Sequence, residues 1–118
     1  MRLEIPAPGP WVSSNRRGHW AKTSREMRAW RDADHWACRA LNPMPFYTTP
    51  VVITATVHRA DRRIADPDNN LSVKAAIDGL VDAGVLKGDD PRYVIETRRR
   101  AGEVRKPAQL VLEIEVAA

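Results

Sequence analysis

A chain of 118 residues with a formal net charge of +4 is long enough to bury one core and too short for two, which excludes a multidomain protein. Hydrophobic residues at 43%, charged residues at 29% and no low-complexity run exclude the disordered and fibrous classes. The apolar runs span only a few residues and MRLEIPAPGPWVSS lacks the apolar stretch of a signal peptide, so neither membrane spanning nor export is expected and the cytoplasm is the expected location.

Arg2 to Ile5 predicts a short strand, and the Pro, Gly and Ser content of the following PAPGPWVSSNRRGHW predicts a loop. Thr23 with Glu26 has the spacing of a capping box, and Met27, Trp30, Ala33, Ala37 and Leu41 recur at helical intervals until Asn42 and Pro43. A helix over about Thr23–Leu41 is predicted. Trp30 on that stripe and Trp36 beside it are expected in the core rather than stacked on bases. The single cysteine, Cys38, cannot form an internal disulfide and is expected to be a small buried hydrophobe, and no zinc site is expected.

From Val51 to Arg59 the residues alternate, with Val51, Ile53, Ala55 and Val57 on one side, which predicts a strand. SVKAAIDGLVDAG predicts a second helix with Val73, Ile77 and either Leu80 or Val81 inward, closed by Gly84 as a left-handed cap. Tyr93–Arg100 and Gln109–Val116 predict two further strands, expected to pair as a hairpin. The order β-α-β-α-β-β predicts an α+β or mixed α/β single domain, one mixed sheet with helices packed against it.

The charge pattern is uneven. Basic residues gather at Arg16, Arg17, Lys22, Arg25, Arg28 and Arg31, again at Arg59, Arg62 and Arg63, and again at Arg98, Arg99, Arg100, Arg105 and Lys106. Carboxylates crowd the ends of DPDNNLSVKAAIDGLVDAGVLKGDD, which runs from Asp66 to Asp90. Pro67 favours an extended Asp66, so Asp66 and Asp68 project to the same side. Two like charges held that close raise each other's pKa unless a cation sits between them, which points to a hard metal such as Mg²⁺. Asp89 and Asp90 follow a helix of about twelve residues, ~18 Å long. A segment returning from its far end would bring one of them back to the first pair.

A plain turn with a helix N-cap would also use Asp and Asn here. An EF-hand is excluded, because Leu71 occupies the position of its glycine and Ile77 that of its last glutamate. Lys74 and Asp78, four apart, share a helix face in the order that stabilises a helix less. An ordinary ion pair is one reading of the two; the other has Lys74 neutralise a phosphoryl oxygen or orient a water. A metal held by carboxylates beside a lysine is the equipment of phosphodiester hydrolysis, so the residues themselves point to a metal-dependent nuclease. The rival from another class is a non-catalytic basic DNA-binding module, for which the acids are turn and cap residues and Asp66→Asn leaves function intact. A nuclease of the restriction-like group ranks low, since no acid-x-lysine element follows Asp68.

DPDNNLSVKAAIDGLVDAGVLKGDD resembles the signature of the RusA-like Holliday junction resolvases: an Asp-x-Asp-Asn element, a helix bearing a lysine and an aspartate, and a closing Asp-Asp. SSNRRGHW resembles the basic Ser/Asn-rich loop of that family, and the RRI before Asp66 its basic approach to the acids. The departures are an extra Asn70 and a longer spacing from Asp68 to Lys74 than in the shortest members. The resemblance implies one endonuclease domain over residues 1–118 that cuts four-way DNA junctions in recombination and repair by paired nicks. It further implies a homodimer, Mg²⁺ or Mn²⁺ as cofactor, and often a phage or prophage origin, the location then being the host cytoplasm. It assigns Asp66, Asp68 and Asp90 as metal ligands, Asp89 being the alternative third ligand, Lys74 as the catalytic lysine and Asp78 as its support. Arg16, Arg17, Arg62, Arg63, Arg98, Arg99, Arg100, Arg105 and Lys106 are the candidate DNA contacts.

Overall fold

The computed structural model describes residues 1–13, 20–62 and 70–117. Its elements are β1 (Arg2–Pro6), α1 (Trp20–Arg39), β2 (Val51–His58), α2 (Leu71–Ala83), β3 (Val94–Ala101) and β4 (Gln109–Val116), the predicted order. The four strands form one mixed sheet in the order β1-β4-β2-β3. β2 is antiparallel to β4 and parallel to β3.

The expected hairpin of the last two strands does not form. Both strands flank β2, Val57 lying opposite Leu110 on one side and Ala101 on the other. Burial explains the choice. β2 is the most apolar strand, and at the centre it keeps Val51, Ile53, Ala55 and Val57 almost wholly out of water, whereas β3 carries three consecutive arginines that the sheet edge leaves near solvent. The connection to β4 crosses the end of β2, where Gly102 N–H donates to Val57 O, Arg105 N–H donates to Arg59 O and Glu103 O bonds the His58 ring.

Inward residues of the sheet, including Leu3, Ile5, Ile53, Leu110, Leu112 and Ile114, meet α2 and α1 in one core. α2 begins at Asn70, whose side chain accepts from Ser72 N–H, and ends at Gly84 with φ 92°, the expected left-handed cap. Of the two inward alternatives Leu80 is the fully buried one, Val81 being only partly covered.

α1 differs more from its sequence pattern. It begins at Trp20, three residues before the capping-box threonine, and stops at Arg39. Its buried centre is Trp30, Asp34 and Cys38, with Met27, Ala33, Ala37 and Leu41 packed at the flanks. Trp36 is 68% exposed, against expectation. Six positions on from Trp30 the helix has made about one and two-thirds turns, which leaves the ring about 120° from the buried side. Trp30 itself is buried, stacks on Trp11 at 4.5 Å and donates its indole N–H to Pro10 O. Cys38 is buried as expected. Among the described residues no helix is long and apolar enough to cross a membrane.

Candidate functional site

The N-terminal segment is fastened to the start of α2. Val12 O accepts from Leu71 N–H at 2.7 Å, Val12 N–H donates to Ser72 Oγ at 2.9 Å, and Ser13 bridges Asn70 in antiparallel fashion. Val12 and Ser72 are fully buried. The two stretches that the sequence marks, the basic one after Ser13 and the acidic one before Asn70, therefore depart from a single bridge. Asp66, Asp68, Arg16, Arg17 and Arg63 themselves lie outside the described residues.

One turn into α2, Lys74 Nζ stands 3.7 Å from Asp78 Oδ1 and 3.9 Å from Asp89 Oδ2. The shared helix face read from the sequence is thus an ion pair, and the segment after α2 comes back as far as Lys74; the expected return to Asp66 and Asp68 lies outside the described residues. The member of the closing Asp-Asp that reaches the lysine is Asp89. Asp90 is engaged elsewhere: its carboxylate accepts from Arg92 N–H, Nε and Nη2 at 2.9–3.0 Å, and its carbonyl accepts from Tyr93 and Val94 N–H at the entry to β3. Those Arg92 hydrogen bonds hold the Asp90 carboxyl below the ordinary carboxylate range.

Among the described residues no group of three His, Cys, Asp or Glu is placed to share a metal ion. Asp89 nevertheless suits a hard cation in kind, being a half-exposed carboxylate that faces the Lys74 ammonium at 3.9 Å.

The strand register sorts the arginines of β3. Arg98 lies opposite Thr54 and Arg100 opposite Thr56, on the face away from the core, whereas Arg99 lies opposite Ala55 on the core side. Arg98 binds Glu96 through Nε and Nη2, and Arg105 pairs with Glu103, so both carry their own counter-charge. The Nε of Arg99 is buried and has no hydrogen-bond partner among the described residues. Arg62, Arg100 and Lys106 are exposed.

Beside Asp78 runs a groove of about 220 Å³ between the helices, lined by Ser24, Met27, Arg28, Arg31, Ala75 and Asp78. Arg31 closes one end by a two-pronged bond to Asp82, with Nη2 2.8 Å from Oδ1. The same bonds raise the arginine pKa and lower that of Asp82. Sequence reasoning passed over Asp34, whose carboxyl is fully buried in this seam with neither oxygen hydrogen-bonded among the described residues. Burial, with repulsion from Asp82 added, pushes it up to about 8. The signal that would have found it is its spacing, four residues after Trp30 and four before Cys38, on the buried side of α1.

The chain matches no protein-family model and no curated protein.

Proposed function

We propose that the chain is a metal-dependent endodeoxyribonuclease of the RusA-like kind, which resolves four-way DNA junctions by paired symmetric nicks. The observation that carries this reading is the ammonium of Lys74 between Asp78 and Asp89, on the helix that directly follows the DPDN segment.

In this reading Asp66 and Asp68, with Asp89 or Asp90, hold Mg²⁺ or Mn²⁺. The metal supplies a Lewis acid for the phosphate and a more acidic bound water. Lys74 meets the charge that builds on the phosphoryl oxygens, and Asp78 keeps the lysine charged and oriented. Asn70 and Ser72 fix the start of α2, the helix that carries Lys74, against the N-terminal segment. Arg100 and Lys106, both exposed, are the better phosphate contacts in this part of the chain, Arg98 and Arg105 being paired with Glu96 and Glu103. A homodimer suits a substrate of two-fold character, since two symmetric sites nick opposing strands before the junction dissociates.

The test is nicking of a labelled four-way junction beside a linear duplex of the same sequence, with Mg²⁺ and with chelator, for wild type and Asp68→Asn. Paired, metal-dependent nicks in the junction alone, lost in the variant while binding survives, support the reading. Binding without cutting under any of these conditions leaves a DNA-binding module instead.

A further inference from the structure

α1 and α2 pack closely at Gly79. A Cβ at that position would stand 2.5 Å from Arg31 O and 2.8 Å from Asp34 Oδ2, so the Asp34 carboxyl rests directly on the glycine. The charges around it offer no compensation. α2 contributes Asp78 and Asp82, both acidic, and Asp82 engages Arg31. On α1 itself Arg31 is committed to Asp82, Arg39 reaches the carbonyl of Ala83, His35 acts on Asp82, and the Cys38 thiol is held neutral by burial. β1, the strand packed on α1, adds only Leu3 and Ile5 to the core. A neutral carboxyl can be kept in such a place at modest cost, whereas an ionised one without a partner cannot.

We propose that Asp34 is a proton-controlled wedge that sets the spacing of α1 and α2. With its proton in place the helices close over Gly79. When the proton leaves, the carboxylate draws the Arg31 guanidinium from Asp82, the seam opens at Gly79, and the groove from Ser24 to Asp78 widens. The pKa of about 8 puts the transition at mildly alkaline pH. Asp78 directly precedes Gly79 and pairs with Lys74, so an open seam shifts the lysine relative to Asp89. This last consequence rests on the nuclease reading; the wedge itself does not.

The experiment is backbone hydrogen exchange of Gly79–Ala83, corrected for intrinsic rates, for wild type and Asp34→Asn between about pH 6 and about pH 9. Protection in wild type falls by about tenfold or more across that interval, following one proton, and the neutral isostere abolishes the dependence. An equal pH dependence in Asp34→Asn, or none in wild type, overturns the proposal. Should the variant fold poorly, carbon NMR of the wild-type carboxyl decides: titration near 8 together with the exchange change supports the wedge, and titration in the ordinary carboxylate range overturns it. Junction nicking over the same interval falls in wild type and stays level in the variant. Absence of nicking at every pH with the exchange result intact removes the nuclease reading and leaves the wedge standing.

Discussion

Ser72 Oγ accepts the backbone N–H of Val12 at 2.9 Å across sixty positions of sequence. Both residues are fully buried, so this hydrogen bond is the inner tie between the N-terminal segment and the first turn of α2. Ser72→Ala leaves the Val12 N–H buried without a partner, and unfolding in urea should show a loss of about 1–3 kcal/mol. An unchanged midpoint would mean that water or a shifted backbone replaces the hydroxyl.

Lys74 and Asp89 are solvent-accessible and 3.9 Å apart, and exposed pairs of this kind contribute roughly 0–1 kcal/mol. Lys74→Gln should therefore leave the unfolding midpoint almost unchanged while lowering junction nicking by about a hundredfold or more. Asp89→Asn should abolish the metal-dependent cutting. Asp90→Asn, which breaks the bonds to Arg92, should retain more activity than Asp89→Asn, and the reverse ranking in a nicking assay would return the third ligand to Asp90.

Gly79→Ala normally strengthens a helix by about 1 kcal/mol. Here the added methyl meets Arg31 O at 2.5 Å and Asp34 Oδ2 at 2.8 Å, and the backbone of α1 cannot yield as a flexible side chain would. The variant should be destabilised by about 1–3 kcal/mol, as overpacked sites are, read as a lower thermal midpoint.

Cys38 is buried and its thiol pKa is pushed up to about 12, chiefly by desolvation. The thiolate is the reactive form, so the native protein should resist alkylation at neutral pH and react at the rate of a free thiol only in denaturant. Rapid native labelling would show that the α1 end of the core opens readily.

Two tryptophans of α1 should respond in opposite ways. Trp30→Ala removes a fully buried ring together with its bond to Pro10 O and should cost about 3–5 kcal/mol. Trp36→Ser, at a ring 68% exposed, should change stability by no more than about 0.5 kcal/mol. Equilibrium unfolding of the pair checks both.

What the sequence made legible was local. The alternation of Val51 to Val57, the glycine that caps α2 and the four-residue step from Lys74 to Asp78 are each written in a short window, and each has its counterpart in the fold. Strand partnership is not written there: the alternation of Leu110, Leu112, Ile114 and Val116 suits a neighbour on either side, and only the competition for the sheet centre decides for β2. The helix phase held, Met27, Trp30, Ala33, Ala37 and Leu41 all lying in or against the core, and what failed was the placing of Trp36 beside that stripe. Alanines at 33 and 37 leave the edges of the stripe poorly defined, so the exposure of Trp36 and the burial of Asp34 become visible only once α2 is packed alongside. The candidate site divides in the same way: the shared face of Lys74 and Asp78 was legible, whereas the approach of Asp89 to the lysine and the engagement of Asp90, the expected third ligand, by Arg92 follow from a tight turn that spacing alone does not reveal.

Strands that run in the same direction need a crossover between them, and the one from β2 to β3 carries Lys74, Asp78 and Asp89 within it. Gathering these charges closes only short loops, whose entropic cost grows slowly with length, whereas the tie from Val12 to Ser72 joins distant parts of the chain. The charged cluster is thus assembled locally and its tether globally, so a molecule that has lost its N-terminal segment from the seam can still keep the lysine between its carboxylates.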